Sequence, residues 1–123
     1  MISNPISVFC RSLPIEIPPR VEQEDVRFAD RIVSLSQIPT HVRPDVVLLG
    51  IPQHVGVERN DGRAGAALAP REIREQLLRL TISKGSEEIS SGFVIADAGD
   101  LQCDELSLEE IHERQCETVN YLL

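Results

Sequence analysis

Residues 45–51, DVVLLGI, are the tightest constraint on what this chain can become. After Asp45 the run is continuously apolar, too short for a helix of ordinary length, and bounded by Pro44 and Pro52. An uninterrupted apolar run suits a strand covered on both faces, which is the signature of a parallel sheet. Gly50 lies at its end, and Pro52 cannot donate to a ladder, so the strand stops there.

A second unit repeats this plan. Residues 53–69 form a loop that exceeds the about two to six residues usual between strand and helix. A helix opens at Pro70, with Ile73, Leu77 and Leu80 as its expected buried stripe and Glu75 paired to Arg79. Residues 81–92 read as a surface turn. A second strand over 93–96 enters DAGDL at 97–101. Ser107 and Glu110 form a capping box that starts a helix with Leu108, Ile111, Val119 and Leu122 on one face. Upstream, Phe28, Ile32 and Leu35, with Val21 and Val26 nearby, predict an amphipathic helix over 21–38. His41 falls in a proline-bracketed connector and reads as a solvated loop residue. Residues 1–20 hold four prolines, which predicts an extended, helix-free arm. The expected organisation is therefore an arm at 1–20 and one α/β domain at 21–123. Alternating strands and helices imply right-handed crossovers and a parallel sheet. Two such strands do not make a self-sufficient sheet. The expectation is either the first part of a larger domain or a sheet completed by a homo-oligomer.

Composition excludes several function classes. The chain is 41% hydrophobic and 26% charged, so a globular fold is expected. A formal charge of −8 argues against nucleic acid and anionic membrane surfaces as partners. Three widely spaced cysteines, Cys10, Cys103 and Cys116, do not form a disulfide framework. With no signal-peptide pattern or membrane-length apolar run, a cytoplasmic location is expected.

Three constellations bear on chemistry. The glycines at 56, 62 and 65 match no phosphate-loop spacing, which leaves a small anion- or nucleotide-binding domain as a weak alternative. Arg59 and Arg63, flanking Asn60, suit a carboxylate clamp because guanidinium forks match carboxylates. Equally, they order the loop by pairing with Glu58, Asp61 or another subunit. Asp97, Asp100 and Asp104, with Cys103 among them, are oxygen donors for a hard cation but lack a histidine. His112 and Cys116 sit four apart on one helix, without a second pair to complete a zinc site. The thiols have no base partner and read as bystanders.

Taken in order, these residues resemble the arginase-like ureohydrolases. The resemblance rests on Gly50-x-Pro52 ending the first strand, Gly65-Ala66 in the loop, Pro70 and Ile73-Arg74 in the helix, and Asp97, Gly99 and Asp100 closing the second strand. The form RNDGRAGA at 59–66 is most similar to formimidoylglutamases. The likeness spans about residues 25–123 and implies the N-terminal part of a three-layer α/β/α parallel-sheet fold. It further implies two manganese ions that activate a hydroxide for attack on N-formimidoyl-L-glutamate, a step of histidine degradation that gives glutamate and formamide. The family's metal ligands come from Gly-Gly-Asp-His, Asp-Ala-His-x-Asp and Asp-x-Asp segments, and none occurs in these 123 residues. The closest stretch, 97–100, has Gly99 where histidine is required. No metal ligand and no catalytic residue are therefore carried over, and inactivity of this chain alone is expected. The first missing segment is expected just beyond Leu123. Arg59, Asn60 and Arg63 are the substrate-binding residues expected within a complete enzyme. Ala69 replaces the family's glycine and is a poor N-cap.

Overall fold

A computed structural model describes residues 3–12, 15–19, 25–82 and 92–123. Its elements are α1 (Pro5–Phe9), β1 (Cys10–Arg11), β2 (Ile32–Ser34), β3 (Val46–Gly50), α2 (Val55–Arg59), α3 (Ala69–Arg79), β4 (Ile95–Leu101) and α4 (Leu108–Leu122). The fold is α/β. Its four-stranded sheet is built around β4.

β4 is buried along nearly its whole length, as a central strand must be. On one side β3 runs parallel to it, pairing Val46 with Ile95 and Val47 with Ala96. The other side is shared. β2 lies parallel to the first half of β4, with Ile32 opposite Ile95, and β1 lies antiparallel to the second half, with Cys10 opposite Leu101. The sheet is thus mixed, with the antiparallel strand supplied by residues that the sequence assigned to an extended arm.

Two local expectations are overturned at the N-terminal end. Residues 21–38 do not form one helix. The described part contains a 3-10 turn at Phe28–Asp30, the strand β2, and a second 3-10 turn at Leu35–Gln37. Its backbone is laced to other segments: the Phe28 amide donates to the Leu80 carbonyl at 2.9 Å, and the Ile82 amide donates to Val26 at 2.8 Å. The β-branched pair Ile32-Val33 satisfies the ladder of β4 better than a helix interior. Val21 lies outside the described residues. The proline-rich start does contain a helix, because Pro5 occupies its first turn, where a missing amide costs nothing. Asn4 caps it by accepting from the Ser7 amide at 3.2 Å.

The long loop is also more ordered than expected. Residues 55–59 form α2, and Asn60, Asp61 and Gly62 end it. The amides of Asn60 and Gly62 both donate to the Val57 carbonyl, and Asp61 takes a left-handed φ of 56°. A 3-10 turn, Ala66–Leu68, then leads into α3. Ala69 is the first helical residue rather than the cap. α3 does not bury the predicted stripe: Ile73 is 63% exposed and Leu80 55%. Of that stripe only Leu77 turns inward, with Arg74 and Leu78 beside it, and Glu75 pairs with Arg71 at 3.1 Å rather than with Arg79. Most of the expected turn at 81–92 lies outside the described residues.

α4 begins as read. The Ser107 hydroxyl accepts from the Glu110 amide, and the Glu110 carboxylate accepts from the Ser107 amide. Ile111 joins Leu101 and Cys103 in the buried core, with Phe9, Cys10, Ile51, Val55 and Leu106 packed around them. Thr118, two helical turns on from Ile111, is fully buried, whereas Val119 is exposed. Arg114 lies over the Phe9 ring at 4.8 Å, tying α4 to α1.

Candidate functional site

At the carboxyl end of the sheet, one guanidinium gathers two carboxylates. Arg74 reaches from α3 with its Nε donating to Asp97 Oδ2 at 2.8 Å and its Nη2 to Asp97 Oδ1 at 3.0 Å. Nη1 donates to Asp100 Oδ1, and Nη2 also donates to the Gly99 carbonyl at 3.0 Å. The Arg74 side chain is 11% exposed and that of Asp100 8%.

Regular strand geometry would not permit this convergence. Residues three apart on a strand point to opposite faces. Here the pairing with β3 slips: Leu48 faces Asp97, but Gly50 faces Asp100, so β4 carries an extra residue. The bulge centres on Gly99, with φ of 83°. Its amide donates to Asp97 Oδ1 at 2.8 Å. A side chain there would meet the Arg11 carbonyl at 2.6 Å. Gly50 completes the cradle, since a Cβ at that position would stand 1.9 Å from Asp100 Oδ1. Burial works against the Arg74 charge, but its hydrogen bonds to Asp97 and Asp100 and their negative charge outweigh it, and the guanidinium pKa is held above its ordinary value.

The three sequence-predicted binding residues are not gathered into one pocket. Arg59 ends α2 and forks onto Glu109 in the first turn of α4, at 2.6 and 2.9 Å. The partner is therefore neither Glu58 nor Asp61. Asn60 donates from Nδ2 to the Gly56 carbonyl at 3.1 Å. Arg63 is exposed and has no ion-pair partner among the described residues. A cavity of about 250 Å³ beside Arg74 is lined by Ile32, Val33 and Leu78 with Arg71, Asp97 and Asp100. A larger groove of about 910 Å³ runs past Leu35, Val42, Val47 and Leu122. Neither is lined by Arg59, Asn60 or Arg63.

The fork has a measurable consequence. The Arg59 hydrogen bond pushes the Glu109 pKa down to about 2 from an ordinary 4.5. A lowered folded-state value means that the tie is present above the ordinary value and is lost as pH falls through about 2. Both groups are on the surface, so the effect on global stability is small. In Arg59→Ala, carbon-detected titration should return Glu109 to the ordinary carboxylate range. An unchanged titration would show that the fork is not formed in solution.

Among the described residues, no group of three or more His, Cys, Asp or Glu is placed to hold a metal ion. Asp104 points away from Asp97 and Asp100 towards Arg11, at 4.0 Å and largely in solvent. His112 and Cys116 are exposed on α4. Burial, with the nearby carboxylates, raises the thiol pKa of both Cys10 and Cys103, which favours the protonated form. No helix of the described residues is long and apolar enough to cross a membrane.

Sequence reasoning noticed Arg74 and both aspartates separately but not their union.

Comparison with known proteins bears on this architecture. The sequence model of the arginase family matches residues 44–123. A formimidoylglutamase of Aeromonas salmonicida (strain A449) is 39% identical over 80 residues, covering 65% of this chain and 23% of the relative. That of Paraburkholderia xenovorans (strain LB400) is 36% identical over 77 residues, covering 63% of this chain and 22% of the relative. That of Geobacillus sp. (strain WCH70) is 30% identical over 93 residues, covering 76% and 27%. The chain spans about a quarter of the length of these relatives. No solved structure matches significantly.

Proposed function

The chain belongs to the arginase family, and from that premise we propose that it supplies the N-terminal part of a formimidoylglutamase-like enzyme. That enzyme hydrolyses the C–N bond of a linear amidine, N-formimidoyl-L-glutamate, to glutamate and formamide, and acts in the cytoplasm in histidine degradation. The observation that carries the reading is the identity of 36–39% over about 80 residues to proteins named formimidoylglutamase. The loop at 59–66 supports it, with a form fitted to a substrate that carries carboxylates.

The arginase family is generally metal-dependent, and the proposed enzyme uses two manganese ions. The carboxylates at the sheet end of this chain do not fit that role. Asp97 and Asp100 are engaged by Arg74, and Asp104 faces solvent. What these residues do is tie α3 to the carboxyl end of β4.

Within the loop, Arg59 and Asn60 keep α2 and α4 in place, and Arg63 is the side chain with its guanidinium presented to solvent. Arg63 is therefore the residue assigned to a substrate carboxylate. Assayed with manganese, the 123-residue chain alone is expected to release no formamide from N-formimidoyl-L-glutamate. Turnover at the rate of a competent enzyme would overturn this. In a complete enzyme carrying this stretch, Arg63→Ala should raise KM about tenfold with kcat little changed, as loss of uniform binding does. An unaltered KM would leave the residue with a structural role only.

A further inference from the structure

We propose that Glu109 is a positioning residue for Arg63: by holding Arg59 in a two-pronged fork, it fixes from α4 where the loop after α2 presents the Arg63 guanidinium. The proposal rests on the assignment of Arg63 to a substrate carboxylate. It adds a residue on another element, which acts through Arg59 rather than on the substrate.

Glu109 stands on the firmer side of the fork. α4 is seated in the core by Ile111 and Thr118, both fully buried. Its first turn is closed by the capping box of Ser107 and Glu110, so the Glu109 carboxylate is not needed there. The helix dipole also favours a negative group in that turn. Both carboxylate oxygens accept, Oε1 from Arg59 Nη1 at 2.6 Å and Oε2 from Nη2 at 2.9 Å. Most surface ion pairs contribute little to stability, but the bidentate form also fixes direction.

From Arg59 the backbone reaches Arg63 through a closed turn. The Asn60 and Gly62 amides donate to the Val57 carbonyl at 3.1 and 2.9 Å, and the Asp61 amide donates to Glu58 at 3.0 Å. Gly62 has no room for a side chain, since a Cβ there would stand 2.5 Å from Val57 Cγ1. Arg63 is therefore carried by α2, and whatever orients α2 orients Arg63. The contact between α2 and the start of α4 is otherwise apolar: a Cβ placed on Gly56 would lie 3.7 Å from Leu108 Cδ1. Apolar contact is non-directional and sets a distance without an orientation. Among the described residues, no side-chain hydrogen bond or ion pair of residues 60–66 reaches beyond α2 and the loop itself. The fork supplies the missing directional tie.

The test has two arms. In the 123-residue chain, Glu109→Gln removes the charge and keeps the shape of the side chain, and circular dichroism checks that the helices persist. Nitrogen-15 order parameters over residues 55–63 are expected to fall from a rigid value of about 0.85 towards about 0.6, while those of α4 hold. Unchanged values over 55–63 would overturn the proposal. In a complete enzyme carrying this stretch, Glu109→Gln should raise KM for N-formimidoyl-L-glutamate about threefold, the scale of an exposed ion pair, with kcat little changed. In the Arg63→Ala background the same substitution should raise KM no further. A KM that responds to Arg63→Ala but not to Glu109→Gln, or a further rise in the double variant, would overturn the proposal. Failure of the activity reading looks different. No turnover, or a KM indifferent to Arg63→Ala, refutes the substrate assignment, while loosening of residues 55–63 in the chain leaves the coupling of Glu109 to Arg63 standing.

Discussion

Replacing Arg74 with alanine is expected to destabilise the chain by about 3–5 kcal/mol, the usual result of removing one partner from a buried ionic group. Asp97 and Asp100 would be left facing each other without their shared donor, at positions where solvent reaches them poorly. Against a total stability of about 5–15 kcal/mol for an ordinary domain, that is enough to unfold much of the population. Urea unfolding followed by circular dichroism measures it directly. Arg74→Lys should recover only part of the loss, because an ammonium is a point charge and cannot fork onto Asp97 while also reaching Asp100. Exchanging all three side chains for apolar ones of similar volume should restore more stability than lysine does, since the charges are then removed together. A midpoint for Arg74→Ala within error of the parent would mean that the cluster contributes nothing in solution.

The second large effect is expected at Gly50. Alanine there would put a methyl carbon 1.9 Å from Asp100 Oδ1 and 2.9 Å from Arg74 Nη1. Asp100 is packed and cannot swing aside cheaply, so the substitution should cost about 1–3 kcal/mol or somewhat more, as overpacking does. The diagnostic is its coupling to Arg74. Once Arg74 is alanine, Asp100 is free to retreat, and the double variant should be less unstable than the two single losses combined. Strict additivity would place the strain of Gly50→Ala somewhere other than in this cluster.

Much of the fold was legible because local signals and tertiary contacts agree. The apolar run at 45–51 becomes β3, Ser107 and Glu110 cap α4, and Pro70 lies in the first turn of α3. Misreadings arose where one pattern has two solutions. Phe28, Ile32 and Leu35 satisfy helical spacing, yet Ile32 and Val33 find a ladder on β4, which local periodicity cannot reveal. The prolines of the first twenty residues looked incompatible with a helix as a group, although Pro5 alone sits where a helix accepts it. On α3 the apolar spacing was right for Leu77 but not for Ile73 and Leu80, because an arginine, normally a surface residue, is the group turned inward.

The candidate site was less legible than the fold. Its parts are far apart in sequence, and their meeting depends on backbone detail. Arg59 finds Glu109 fifty positions away. Asp97 and Asp100 share Arg74 only because a residue is inserted at Gly99, and no side-chain pattern announces a bulge. The family resemblance, by contrast, was readable from short motifs whose order survives without any knowledge of what they touch.

The pairing of Cys10 with Leu101 has a kinetic meaning. β3, α3 and β4 follow one another along the chain and close shorter loops than β1 does, so they are suited to assemble earlier. β1 must bring the N-terminus across nearly the whole sequence, and long loop closure slows such contacts. The bulge at Gly99 has to exist before Arg11 can pass beneath it. The residues of β1 are therefore among the last to find their place, and the early β3–α3–β4 unit waits with one flank of β4 uncovered.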